Sequence, residues 1–471
     1  MLIAALLAAT PAPAATIKVT TTDDELIADG DCSLREAVQS ANNSVSFDAC
    51  EKGQNDALDK IELRSREYAL TLASTNENLN VNGDLDYTGG GPIAIRGKGI
   101  AATEIDANAI GDRVLQATGN ARALTLESLD LENGTAPVPG SGQAQGGNLW
   151  AEAGSLALMR VSVEGGDAEL GGGVRFSASR SVTVKRSRFE NNDATDGGGL
   201  STAVFGKPTT IRHTVFSLNT AEGDHAEGGA LDATGDRVMV ADSLFSENTA
   251  HADVVSGGVA LGGAIFISGD SFGARIERST FQKNVATRNG SSAAFGGAIS
   301  AVRLDVVNTT FWDNESEEAG GALYGDASVA HSTFLANDAP EGGDHVYAPG
   351  GIGAKPIVLR NSILPGAQVA VDVCDGPGPV VSKGFNVFSY DDPDCATLNS
   401  DLVSGGNAGL SGSPFDNGGP TPTISIASSS VAKDLVPIKK CNAADGVDQR
   451  GYKRPKGPRC DAGAFERGAK S

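Results

Sequence analysis

The sequence predicts an all-β fold, a parallel β-helix in which short strands stack from one coil to the next. Three observations predict it: a sixfold repeat between Gly171 and Gly343, strand-like alternation within each repeat, and a double glycine that follows nearly every one. The repeats recur at intervals of 27, 29, 36, 30 and 23 residues. Such a recurrence is typical of stacked units that bury their apolar faces only against their neighbours.

Each repeat contains one phenylalanine that we expect to point into the interior. Two positions before it stands Ser or Thr, five positions before it Val or Ile, and three positions after it an asparagine. Because stacked coils lie about 4.8 Å apart, equivalent residues form columns in which rings stack and amides can bond to each other. The two columns are Phe189, Phe216, Phe245, Phe281, Phe311 and Phe334, and Asn192, Asn219, Asn248, Asn284, Asn314 and Asn337.

The apolar alternation predicts a corner three positions before each phenylalanine. Side chains along a strand alternate between its two faces, and the inward positions five and two before the phenylalanine are an odd number apart. The inward face must therefore change between them. Asparagine tolerates the left-handed backbone of a tight turn, and glycine allows the unusual backbone conformation that leads into the next strand. The predicted order within one coil is therefore strand, corner, strand, asparagine turn, double glycine and strand.

The GGAI motifs at Gly262 and Gly296, with the Phe-x-x-Asn pattern, resemble the repeat of polymorphic outer-membrane proteins and related secreted proteins. The resemblance implies a right-handed parallel β-helix of the pectin lyase-like kind. Right-handed crossovers are also the rule for parallel strands.

Composition limits the partners. Lys plus Arg number 37 and Asp plus Glu 59, a net charge of −22, so we expect repulsion from nucleic acid and anionic membranes. No apolar run approaches the roughly 20 residues of a transmembrane helix. We expect a monomer.

The N-terminus resembles a secretory signal. Leu2–Ala9 is apolar and an A-x-A site follows at 12–14, although the usual basic start is missing. The alternative is a buried first strand. Six cysteines in a chain that we expect to be exported predict three local disulfides, although other pairings are allowed. The expected pairs are Cys32–Cys50, Cys374–Cys395 and Cys441–Cys460.

Residues 31–43 predict a short amphipathic helix with a capping box formed by Ser33 and Glu36. We expect it to lie across the N-terminal end of the coils and protect their unpaired strand edges. The alternative, a catalytic helix with Arg35 and Glu36 as acid and base, is weaker because such neighbours are normally solvated.

The same stretch, DCSLREAVQSANN, closely resembles the CSLREA motif of a family of bacterial secreted proteins. The resemblance continues through GDLD (83–86), TEIDAN (103–108) and LTLESLDLENG (124–134), and it implies an exported β-helix of unassigned activity. NGGPTPT (417–423) and 448–466 resemble the C-terminal region of choice-of-anchor proteins, which implies a secreted or surface location.

These observations predict four regions. They are a signal peptide at 1–15, an N-terminal cap at 16–58, the β-helix at 59–365, and a cysteine-containing C-terminal cap at 366–471.

The three longest loops between asparagine and double glycine are consecutive and should emerge from one side of the stack. Their candidate catalytic residues are Asp224, His225, His251, Asp253 and Arg288. Carboxylates with histidine could perform acid–base chemistry or hold a cation. The alternative is solvated loop tips. No spacing matches a defined metal motif, so we expect no cofactor, or calcium if the protein is a lyase.

The predicted corner column is basic at its start. The candidate binding residues are Lys185, Arg186, Arg212, His213 and Arg278. Such a strip could bind a polyanionic glycan, although a solvated strand face is the alternative. With only two Trp residues, stacking platforms for sugars should be scarce.

The sequence therefore favours an exported or cell-surface scaffold that binds an extracellular glycan or surface partner without catalysis. One alternative is a polysaccharide lyase or glycoside hydrolase that acts on an acidic polysaccharide, and another is a structural spacer. An enzyme predicts that the long loops bring carboxylates or arginine together in a groove.

Overall fold

The computed structural model describes residues 14–74, 77–119, 121–138, 143–178, 180–269, 273–351, 353–366, 372–444 and 446–469. Within these ranges the protein is all-β, apart from the α-helix Leu34–Asn43 and the 3-10 helix Ile438–Ala444. No helix among these residues is both long and apolar enough to cross a membrane. The stretch 1–13, and with it nearly all of the predicted signal peptide, lies outside the described residues.

Successive coils pair in parallel, so their strands form three ladders, an arrangement compatible with a parallel β-helix. The first ladder contains Leu85–Tyr87, Leu115–Ala117, Leu149–Ala151, Val174–Ala178, Ile265–Ser268, Val346–Tyr347 and Cys374–Asp375. The second contains Ala15–Lys18, Asp59–Glu62, Pro92–Arg96, Val182–Lys185, Ala274–Glu277, Ile357–Arg360, Val380–Ser382 and Cys395–Ala396. The third contains Glu67–Ala69, Glu104–Asp106, Arg188–Glu190, Val215–Ser217, Leu244–Ser246, Thr280–Gln282, Thr310–Trp312, Thr333–Leu335, Ile363–Leu364, Val387–Phe388 and Leu402–Val403.

Six longer strands belong to two ladders each. Leu200–Arg212, Leu231–Ala241, Ile299–Val307 and Leu323–Ala330 run through the first and second ladders. Ala123–Glu132 and Leu156–Glu164 run through the second and third.

The six repeat phenylalanines are fully buried in the interior of the stack. Consecutive rings lie 4.6 to 5.2 Å apart between centroids and within 12° of parallel. This spacing matches the distance between neighbouring strands, so the ring column follows directly from the parallel register of the coils.

The predicted corner is present as a column of left-handed residues with φ between 48° and 54°. Its members in the repeat are Arg186, His213, Asp242, Arg278, Asn308 and His331. A second left-handed column stands one residue before each repeat asparagine: Asn191, Leu218, Glu247, Lys283, Asp313 and Ala336. The prediction that the asparagine itself makes this turn is therefore wrong, because its backbone is not left-handed and its side chain is buried and bonded along the stack.

The asparagines form a hydrogen-bonded ladder. Each of the first five donates Nδ2 to Oδ1 of the next at 2.8 to 2.9 Å, and the same Nδ2 donates to a backbone oxygen of the third ladder. The double glycine follows this turn, and its first residue Gly228 has a left-handed backbone with φ 63°. A Cβ on Gly229 would lie 2.3 Å from the carbonyl oxygens of Gly263 and Thr249, so no side chain fits there.

The helix Leu34–Asn43 is fixed to the first coils. Ser33 and Glu36 form the capping box, and the buried guanidinium of Arg35 donates to the carbonyl oxygens of Gly83 and Asp84. The strand Ala15–Lys18 precedes the helix and pairs with Asp59–Glu62. The stack therefore starts before the predicted boundary at residue 59. The side chains of this first strand already alternate between the interior and the surface.

Parallel pairing also continues past the predicted boundary at residue 365, through Leu402–Val403. Cys374–Cys395 thus lies within the stack. The segment from 404 to 469 contains Cys441–Cys460 and folds back along the third ladder. It covers a side of the stack, because its apolar residues pack on outward side chains such as Ile363 and Trp312.

Candidate functional site

The three long loops form a layered wall on one side of the stack. Together with the shorter loops of the coils on either side, they pair into a five-stranded and a three-stranded parallel sheet. The strands are Asp193–Ala194, Thr220–Gly223, Thr249–Ala252, Val285–Arg288 and Glu315–Ser316, and His225–Glu227, Ser256–Leu261 and Ser291–Phe295. Seven buried alanines pack between the two sheets. Small side chains allow this close layering, so these segments pair as ordered sheets.

The five loop candidates do not converge on a common point. Asp224, His225 and Asp253 are exposed. The Nδ1 atom of His251 lies 2.8 Å from Thr287 Oγ1. Arg288 forms ion pairs with Glu318 at 2.6 Å and Glu341 at 3.0 Å. Among the described contacts, no side chain of the five hydrogen-bonds another of the five, so they do not form a catalytic constellation together.

Four of the five predicted binding residues lie side by side on two adjacent coils. Lys185 and Arg212 are register partners in the second ladder, and Arg186 and His213 follow them as exposed corner residues. No ion pair joins these four to an acid within the described residues. Arg278 differs, because Asp242 and Glu277 hold it at 2.8 and 2.7 Å. Binding at the first four residues stays a prediction.

A groove crosses the outward face of the second ladder further along the stack. It consists of two cavities, of about 360 and 450 Å³, that share Arg303 and Asp305. Its charged lining is Arg237, Arg275, Arg303 and Lys355, opposed by Asp305 and Asp326. Arg275 pairs with Glu277 at 3.0 Å and with Asp305. We call this feature the basic groove, since its lining is net positive in a chain of net charge −22.

A group of three carboxyls, the carboxylate cluster, lies where the wall meets the first ladder. Asp196 and Glu227 are neighbours at the end of the wall, and Asp232 follows the double glycine. Asp232 Oδ2 accepts from Ser201 Oγ at 2.8 Å, and that hydroxyl accepts from Arg175 Nη1 at 2.6 Å. Asp232 is 5% exposed, and its Oδ1 has no hydrogen-bond partner.

Burial shifts the protonation of this cluster. It raises the pKa of Asp232 to about 7, although the Ser201 hydrogen bond opposes the shift. Burial, with added repulsion from Asp232 and Asp196, raises the pKa of Glu227 to about 7. Burial likewise raises the pKa of Asp196 to about 6. At neutral pH the cluster therefore holds both protonated and ionised carboxyls, the combination that acid–base chemistry needs.

Glu227 lies in one of the long loops, but Glu227, Asp196 and Asp232 were not among the candidate residues predicted from the sequence. Asp196 directly precedes the glycine run that begins at Gly197, and Asp232 stands three residues after Gly229 of the next coil. Acidic residues at those two positions of adjacent coils were the available signal. Comparisons with protein-family models, curated proteins and solved structures found no match to this chain.

Proposed function

We propose that this protein is an exported, right-handed parallel β-helix that binds an acidic extracellular polysaccharide in the basic groove. The parallel ladders and three disulfides support this proposal, since disulfides persist in oxidising compartments. The resemblance to the CSLREA and choice-of-anchor families supports export, and right-handed crossovers support the handedness. In this proposal the helix Leu34–Asn43 caps the first coils.

The charge and shape of the basic groove carry the proposal. Its two cavities join across the strands of neighbouring coils, so an extended ligand would lie along the stack. Arginine forks match carboxylate and sulfate groups in geometry. A net positive groove in an acidic protein also attracts a polyanion selectively over the rest of the surface.

The corner strip would extend the same surface. Lys185 and Arg212 are outward residues of the second ladder, and the groove begins at the next coil with Arg237 and Met239. A polyanion longer than the groove would therefore meet further positive charge at that end.

Binding assays with charge-matched variants test this proposal. The groove variant combines Arg303→Gln with Lys355→Gln, and the control combines Lys52→Gln with Lys439→Gln at exposed positions. We expect wild type and control to bind immobilised polygalacturonate or a sulfated glycan, and the groove variant to bind at least tenfold more weakly. Neutral dextran should not bind. Equal binding by both double variants, or no wild-type binding to any acidic glycan, would overturn the proposal.

Glycoside hydrolysis is the second candidate, and the carboxylate cluster favours it. One protonated and one ionised carboxyl could serve as general acid and as base or nucleophile. Trp150 and Phe266 stand on the same outward column of the first ladder, on either side of Asp232. If the protein is a hydrolase, polysaccharide incubated with it should gain reducing ends, and Asp232→Asn or Glu227→Gln should abolish that gain. Unsaturated products instead would indicate a lyase.

A further inference from the structure

The third ladder carries six carboxylates on its first four coils. They form two columns on the outward face, Glu67, Glu104 and Asp130, and Asp106, Glu132 and Glu164. Neighbours within a column lie one strand spacing apart, and the two columns are two residues apart along each strand. We call this arrangement the acidic grid. It lies on earlier coils and on a different ladder from the basic groove, and is independent of it.

Three of these side chains lie close enough together to bind one cation. Carboxylate oxygens of Glu67, Glu104 and Asp106 all lie within 4.8 Å of one another. Two oxygens bound to one Ca²⁺ can be no farther apart than about 5 Å, twice the Ca–O distance. Two hydrogen bonds also fix the orientation of the Asp106 carboxylate. Its Oδ1 accepts from Asn133 Nδ2 at 2.9 Å and from the Asn108 backbone N–H at 3.0 Å.

Asp130 provides an independent sign of a missing partner. It is 4% exposed, and its Oδ1 atom has no hydrogen-bond partner. It stands directly beside Glu104 in the register, and its strand places Glu132 two residues on. Buried carboxylate oxygens are normally satisfied, and a cation at the grid would satisfy this one.

Protein cations do not neutralise the grid. Among the described residues, Arg188 is the one cation that forms an ion pair with any of the six, and it reaches Glu164 at 3.9 Å. Like charges on directly opposed strand positions destabilise a sheet.

We propose that the acidic grid binds Ca²⁺ and thereby ties the first coils together. The donors are carboxylate oxygens without histidine or cysteine, which suits a hard cation. Partial exposure leaves room for water ligands, and sites of this kind in extracellular proteins have Kd values of about 0.1 to 1 mM.

Calcium titration of the whole chain tests the proposal. Thermal unfolding is followed in EDTA and in millimolar CaCl₂ at constant ionic strength, with calorimetric titration for affinity. The grid variant combines Glu104→Gln with Glu132→Gln, and the control combines Glu222→Gln with Glu315→Gln, which are exposed acids of the wall. We expect Ca²⁺ to raise the Tm of wild type and control by about 2 °C or more.

The grid variant should bind Ca²⁺ at least tenfold more weakly, while its Tm in EDTA equals or exceeds that of wild type because repulsion is relieved. A variant that was merely misfolded would instead have a lower Tm in EDTA, and terbium luminescence then compares binding by the single variants Glu104→Gln and Glu132→Gln. The proposal is overturned if wild type does not respond to Ca²⁺, if NaCl of equal ionic strength gives the same rise, or if the variants retain wild-type affinity.

Discussion

Removing one rung of the asparagine ladder should destabilise the protein strongly. Asn248 is fully buried in the middle of the ladder. Its Nδ2 donates to Asn284 Oδ1 at 2.9 Å and to the Phe216 carbonyl oxygen at 3.1 Å. Its Oδ1 accepts from Asn219 Nδ2 at 2.9 Å and from the Asn219 backbone N–H at 3.1 Å. Asn248→Ala therefore deletes four hydrogen bonds at one position.

The magnitude follows from those four contacts. A buried hydrogen bond contributes about 1 kcal/mol net, and a group left without a partner costs about 1 to 3 kcal/mol. Asn219 Nδ2 keeps its bond to the Phe189 carbonyl, and Asn284 Oδ1 keeps the bond from the Asn248 backbone N–H. The partners thus remain partly satisfied, and we expect a loss of about 3 to 5 kcal/mol in the free energy of unfolding.

Urea unfolding followed by circular dichroism measures this loss. Glu247→Ala is the matched control, because Glu247 is the exposed neighbour and has the left-handed backbone of the same turn. Its substitution should change the free energy of unfolding by no more than about 0.5 kcal/mol. If Asn248→Ala is no more destabilising than this control, the ladder does not stabilise the stack and the reasoning fails.

Three further predictions concern other parts of the chain. The folded-state pKa of Asp232 is raised from 3.8 to about 7, so the free energy of unfolding falls as pH rises through that window. Relative to wild type, Asp232→Asn should therefore raise the free energy of unfolding by up to about 4 kcal/mol at about pH 8 and by almost nothing at about pH 3.5. Equal urea midpoints for the two proteins at the higher pH would contradict this. Replacing Cys374 and Cys395 by Ser should lower the free energy of unfolding by about 3 kcal/mol, with urea midpoints under oxidising conditions as the measure and an unchanged midpoint as the contrary result. Gln449 Nε2 donates to the Ser279 carbonyl oxygen at 3.0 Å, so Gln449→Ala should speed proteolytic cleavage between 404 and 469, and an unchanged cleavage rate would show that this contact does not hold the segment.

The repeat could be predicted from sequence because stacked coils place like residues on like. Phe245 and its equivalents recur at the same position of each coil, and the register turns that recurrence into a column. The exact turn residue could not be predicted, since Glu247 and Leu218 have no side-chain preference for a left-handed backbone. In each of these turns the left-handed residue directly precedes a buried asparagine that is hydrogen-bonded along the stack.

The candidate sites were harder to predict because they depend on register between distant segments. Arg237, Arg303 and Lys355 belong to three different coils, and only parallel pairing places them along one groove. The long loops were predicted to emerge from one side of the stack, but their pairing into sheets was missed. The core between these sheets consists of alanines such as Ala221 and Ala250, which give too weak an apolar signal to indicate paired strands in a loop.

The most direct measurement for the proposed function is a crystal structure of the protein with an acidic oligosaccharide. We expect the ligand to lie along the second ladder, with its anionic groups against Arg303 and Lys355. An oligosaccharide bound at the carboxylate cluster around Asp232, with the basic groove empty, would contradict the binding proposal and favour the hydrolase.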